Sequence, residues 1–149
     1  MVWGAVGSKG KSNLMIISTR MNSNNYTEML SLHLLPFGQQ IAGENWIYMN
    51  DNAPIHCSKH TKSWFADNQV DVISWPALSP DRNPIENVWG ILSRKVYEGG
   101  RQFDDVNSLK NAILIAWEEI SLDYIRTLIN SMPNRIYKVI LNNGNSIDN

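Results

Sequence analysis

Cysteine occurs once in the 149 residues, at Cys57. A single thiol excludes an intramolecular disulfide and a Cys-rich zinc site, and fits a reducing compartment. Long apolar runs are missing as well: nothing approaches the roughly 20 residues that span a bilayer. Residues 1–12 lack the apolar core of a secretory signal. The expectation is a protein with no membrane partner. Excess positive charge is the third absence, since 13 Lys and Arg stand against 14 Asp and Glu, for a formal net charge of −1. Domains that bind DNA through their own field are usually basic. Any nucleic-acid contact is therefore local, or another part of a longer protein supplies the affinity. Internal repeats and low-complexity segments are also lacking.

What is present reads as one α/β domain. The length suits a single hydrophobic core, and 43% hydrophobic residues with six Trp can fill it. Residues 2–6 and 14–17 read as strands around a Gly-containing turn, a hairpin. A helix capped by Asn24 or Asn25 runs to Gln40, kinked or shortened at Pro36. An apolar strand at 46–49 ends at Asn50-Asp51. A helix to about Asn68 and an alternating strand at 70–75 follow. Three prolines within residues 75–84 make a rigid, extended connection. Ile85, Val88, Trp89, Leu92 and Val96 recur at helical spacing until Gly99-Gly100 stops the helix. Two or three further helices are expected at 104–119, 121–131 and 134–141, then a frayed tail at 142–149. The layout predicts a sheet-containing core over about 1–98 and helices over about 104–141, with a mixed sheet.

Two carboxylates stand out. Asp51 sits where a strand runs out into a loop, the place where open α/β sheets bind ligands, and a carboxylate there suits Mg²⁺. An Asp-Asn turn before Ala-Pro, with the side chain bonded to a backbone amide two residues on, explains Asp51 equally simply. Glu86 is the third residue of a helix that Asn83 caps and Pro84 opens, close to a capping box. The helix dipole there favours a negative side chain, so cap and metal ligand are compatible roles. His56 and His60, four apart, suit one helix face, but no further zinc ligands accompany them. Packing or hydrogen bonding beside a site suits His56, and an exposed position suits His60. Lys9, Lys11, Lys59, Lys62, Arg94, Lys95 and Arg101 are scattered and read mainly as solvated surface.

The connected strings decide more than single residues do. Trp46-Ile-Tyr-Met-Asn-Asp-Asn-Ala-Pro-Ile-His56 and Trp75-Pro-Ala-Leu-Ser-Pro-Asp-Arg-Asn-Pro-Ile-Glu-Asn-Val-Trp-Gly90 resemble the two signature blocks of mariner-superfamily (Tc/mariner) DDE transposases. By that resemblance Asp51 and Glu86 are the second and third catalytic carboxylates, with 34 residues between them, the spacing of the branch ending in Glu. Val2-Trp-Gly and Ser131-Met-Pro-Asn-Arg135 resemble flanking stretches, so the likeness covers nearly the whole chain.

The resemblance implies a ribonuclease H-like fold, a mixed sheet flanked by helices with a C-terminal helical extension. It implies two divalent ions, Mg²⁺ or Mn²⁺, held by three carboxylates for DNA cleavage and strand transfer in cut-and-paste transposition. The partners it implies are DNA, as transposon ends and target, and a second copy in a full-length homodimer; its role implies the nucleus. Asn52, His56 and Asn87 are the expected neighbours of the ligands. No Asp precedes Asp51, and Glu28 and Glu44 do not match the strand that carries the family's first carboxylate. The expectation is therefore a domain truncated at its amino terminus, with the central first strand missing and the fragment inactive by itself. Arg82 and Cys57 depart from the residues common in relatives. The alternative is a non-enzymatic transposon remnant or a domesticated DNA- or protein-binding module.

Overall fold

The computed structural model describes residues 1–17, 20–73 and 83–141, the side chains of 139 and 140 excepted. Of the expected connection at 75–84, residues 75–82, Arg82 included, lie outside the described residues, as does the tail at 142–149.

The amino-terminal hairpin forms as expected, with one refinement. β1 (Val2–Trp3) pairs antiparallel with β4 (Met15–Ile16), and β2 (Val6–Gly7) with β3 (Gly10–Lys11). Two residues separate the paired stretches on the first strand and three on the second, so the hairpin carries a one-residue bulge. Ser12 closes it: its amide donates to the Ala5 carbonyl at 2.8 Å, and its Oγ accepts from the Ala5 amide at 2.9 Å.

The two faces of the hairpin enter different cores, as period-2 alternation requires. Val2, Val6 and Leu14 pack with Val88, Leu92, Trp117 and Ile125. These come from α4 (Pro84–Val96), α5 (Val106–Glu118) and α6 (Leu122–Leu141). Trp3, Ala5 and Ile17 pack with Tyr26, Leu30, Leu34 and Phe65 on the other side. The hairpin is thus the middle of three layers. Trp117 Nε1 donates to the Ser12 carbonyl at 2.9 Å and ties the hairpin to α5.

On the second side, α1 (Ser23–Met29) starts at Asn22, whose side chain accepts from the Asn25 amide. The cap is two residues or more before the expected position. A π-helical turn, Leu30–Leu34, leads into α2 (Leu35–Ala42), where Leu35 N bonds the Leu30 carbonyl five residues back. Pro36, in the first turn of α2, lacks an N–H and would press on the Leu32 carbonyl of a regular α-helix. Widening the turn before it lets the chain stay helical, which is how Pro36 shortens α2 without ending it.

At the far end of the molecule α6 runs through Pro133 without a break. Separate helices at 121–131 and 134–141 are therefore corrected to one. Proline removes the N–H that would bond Ile129, but tertiary contacts hold both halves: Ile125 and Leu128 are buried in the core, and Arg135 Nη1 donates to Asn87 Oδ1 of α4 at 2.8 Å.

β5 (Ile47–Tyr48) and β6 (Asp71–Val72) pair in parallel, connected by α3 (Lys59–Asp67). Among the described residues β1 and β5 each pair along one edge only. A cleft of about 650 Å³ lies between them, floored by α2 and closed by α4 and α6.

Candidate metal centre

Asp51 follows β5 by three residues, at the carboxyl end of a parallel strand. Its Oδ1 accepts from the Ala53 amide at 3.0 Å, the Asx turn that the Asn-Ala-Pro sequence favours. The same oxygen meets His56 Nδ1 at 2.5 Å. A carboxylate only accepts, so with Asp51 ionised Nδ1 carries the hydrogen. Both restraints fall on Oδ1, and Oδ2 accepts no hydrogen bond among the described residues. The Asp51 side chain is 60% exposed, that of His56 19%.

His56 occupies a turn, its amide bonded to the Ala53 carbonyl, two residues before the Ser58 cap of α3. The expectation that His56 and His60 share a helix face is therefore corrected. His60 is exposed, as expected, and its Nε2 contacts Thr27 Oγ1 at 3.0 Å. What packs against His56 is Tyr26, with ring centroids 4.4 Å apart and 29° between planes. Tyr26 is 1% exposed. Burial, then the neighbouring Tyr48, push its phenol far above the ordinary range.

Glu86 stands in the first turn of α4. Asn83 caps that helix through its side chain, accepting from the Ile85 amide at 3.2 Å, and its carbonyl accepts from the Glu86 amide at 3.0 Å. Among the described residues the Glu86 carboxylate makes no hydrogen bond back to the cap. Asn83 therefore does the capping, and Glu86 is exposed, its oxygens without a hydrogen bond among the described residues.

The cleft brings Asp51, His56 and Glu86 onto one surface, with Tyr26 and Asn83. Asn52 and Asn87 are turned to other work. Asn52 Oδ1 faces Cys57 Sγ at 3.7 Å, and Asn87 Oδ1 accepts from Arg135. Among the described residues no three His, Cys, Asp or Glu side chains converge as a ready metal cage. The donors nevertheless suit a hard cation: two carboxylates, each with unengaged oxygen, exposed enough to keep water on the ion. Three residues carried no functional signal in the sequence. Tyr26 reads there as one more apolar helix position, and Arg135 as part of a flanking string. Lys11 reads as solvated surface. Its Nζ instead donates to the carbonyls of Trp117, Glu118 and Ile120, where α5 ends.

A family model described as DDE superfamily endonuclease matches residues 1–110. The chain belongs to the DDE superfamily endonucleases. Within that superfamily it is 39% identical over 148 residues to the Tc3 transposase of Caenorhabditis elegans, covering 99% of this chain and 45% of that protein. The chain spans about half the length of the curated relatives it matches. Among solved structures it is similar to the catalytic domain of Mos1 mariner transposase. There the TM-score is 0.84 at 18% identity, over 99% of this chain and 75% of the other. It is also similar to the Mos1 mariner paired end complex with Mn, with a TM-score of 0.85 at 19% identity, over 99% and 44%. These likenesses show the fold, the ribonuclease H-like arrangement of mixed strands and flanking helices that the signature strings imply.

Proposed function

We propose that this DDE domain is the catalytic part of a cut-and-paste DNA transposase, with Asp51 and Glu86 as two of its metal ligands. The observation that carries the reading is the convergence of these carboxylates, each with an unengaged oxygen, on one cleft of a DDE-family fold. The Mos1 paired end complex with Mn supports a divalent ion, and the Mos1 paired-end complex with left transposon end supports transposon-end DNA as a partner. Mg²⁺ or Mn²⁺, two ions in an intact site, would supply an activated nucleophile and stabilise the leaving oxygen of a phosphodiester.

The chain's own residues have separable tasks. Asp51 is held at Oδ1 by Ala53 and His56, and its Oδ2 would be the oxygen offered to a cation. Glu86 is delivered by the rigid first turn of α4. Asn87 holds that turn against α6 through Arg135, while Asn52 steadies the loop after Asp51. The cleft between β1 and β5, each paired along one edge only among the described residues, suits an extended strand carrying a third carboxylate. On this reading the 149 residues by themselves cleave DNA little or not at all. Target DNA, a homodimer on paired ends and a nuclear location complete the proposal.

The test is nicking of a plasmid bearing transposon ends by the full-length protein in Mg²⁺ or Mn²⁺. Asp51→Asn and Glu86→Gln should each abolish nicking while DNA binding persists. Cleavage that survives both substitutions contradicts the reading. A full-length protein that binds DNA but never cuts it favours the remnant, in which the Asx turn and the helix start are the only roles left to Asp51 and Glu86.

A further inference from the structure

We infer that Tyr26 is a positioning residue for Asp51, acting through His56. The inference rests on the metal reading of Asp51 and extends it to a residue on another element. Asp51 is an exposed side chain on a loop, and a carboxylate so placed rotates freely unless something holds it. The Ala53 amide fixes one oxygen, and His56 Nδ1 fixes the same oxygen from a second direction. That second restraint is only as firm as the imidazole. His56 lies in a turn outside any helix, so its ring plane is set by what packs on it.

Tyr26 does that packing. Its ring stacks under the imidazole at 4.4 Å and 29°, an offset aromatic contact with a preferred geometry. Tyr26 is itself anchored in α1 and 1% exposed, in the core that contains Leu30 and Phe65. The line α1, Tyr26, His56, Asp51 thus carries the rigidity of a helix packed on the core to an exposed ligand, the function that outer-shell partners serve at metal sites. The Tyr26 hydroxyl is not what acts on His56. It is buried facing Tyr48 and Asn50 and forms no hydrogen bond of ordinary geometry. The ring face is the working part, so phenylalanine should replace it.

The test is Mn²⁺ binding to the chain by electron paramagnetic resonance, alongside ¹⁵N shifts of the His56 ring. Tyr26→Leu should weaken Mn²⁺ binding about tenfold and release the imidazole into mixed tautomers, whereas Tyr26→Phe should change neither. Leu30→Ala, in the same core and away from His56, controls for lost stability and should leave both readouts unmoved. Equal losses from Tyr26→Leu and Leu30→Ala overturn the inference, as does a loss in Tyr26→Phe. Should Tyr26→Leu fail to fold, the milder Tyr26→Met decides: weakened Mn²⁺ binding with a His56 ring released into mixed tautomers upholds the inference, and no change in either readout overturns it. If Asp51→Asn leaves Mn²⁺ binding unchanged, it is the metal reading that fails.

Discussion

Trp46 lays its indole directly on the α-carbon of Gly38, so closely that a Cβ there would stand 2.4 Å from the ring. This contact presses α2 onto the segment leading into β5 and so fixes the start of the strand that leads toward Asp51. Gly38→Ala forces the indole or the helix to move. The expected cost is about 1–3 kcal/mol, read as a lower midpoint in chemical denaturation. A midpoint equal to that of the unsubstituted chain contradicts the close packing.

Lys11 is the clearest case of a surface-looking residue with an internal task. Its ammonium reaches the carbonyls of Trp117, Glu118 and Ile120 where α5 ends, at the negative end of the helix dipole. Lys11→Met keeps the aliphatic stem and removes the donors. The expected loss is about 1 kcal/mol of stability, with amide exchange quickening first at residues 117–120.

Asp105 gives the chain a specific acid sensitivity. Its Oδ1 accepts from the amides of Asn107 and Ser108 at the start of α5. Bonds to Ser108, then to the Asn107 amide, hold its carboxyl below the usual range. A carboxyl depressed on folding contributes stability above its unfolded value, and that contribution is lost as pH falls through the folded one. Asp105→Asn should therefore lower the thermal midpoint at neutral pH and flatten its decline in acid. Parallel curves for the two proteins would contradict the assignment.

Among the described residues β1 and β5 each pair along one edge only, which makes a prediction about behaviour in solution. Ile47 is 68% exposed on β5, and Val72 and Ile73 beside it are exposed too. Open edges with apolar neighbours pair with other chains. The isolated 149 residues should self-associate in light scattering, and Ile47→Lys should reduce this without changing the circular dichroism spectrum. A strictly monomeric, sharply melting chain contradicts the open-edge account.

Local chemistry was the legible part of this protein. Asn83 and Pro84 announce the start of α4, Gly99-Gly100 its stop, and Asp51 its Asx turn, because each signal lies within a few residues of its effect. Non-local compensation was not legible. Pro133 reads as a helix break, yet α6 continues because Arg135 and the buried Ile125 and Leu128 hold both halves. The bulge at residues 12–14 depends on the pairing register, which Val2–Val6 alone do not set. Tyr26 and His56 stack across 30 residues of chain, and no periodicity in either segment predicts that contact. Singly, Asp51 and Glu86 read as a turn and a cap; the strings around them carried the site, and the fold places both on one cleft.

The central claim is that Asp51 and Glu86 belong to one divalent-metal site in the cleft. Iron-directed hydroxyl-radical cleavage tests it without needing DNA or activity. Fe²⁺ replaces Mg²⁺, ascorbate and peroxide are added, and the backbone breaks beside the bound ion. The account predicts scission near both residue 51 and residue 86, suppressed by excess Mg²⁺ and lost at both places in Asp51→Asn as well as in Glu86→Gln. Scission at neither place, or at one place unaffected by substitution at the other, would contradict it.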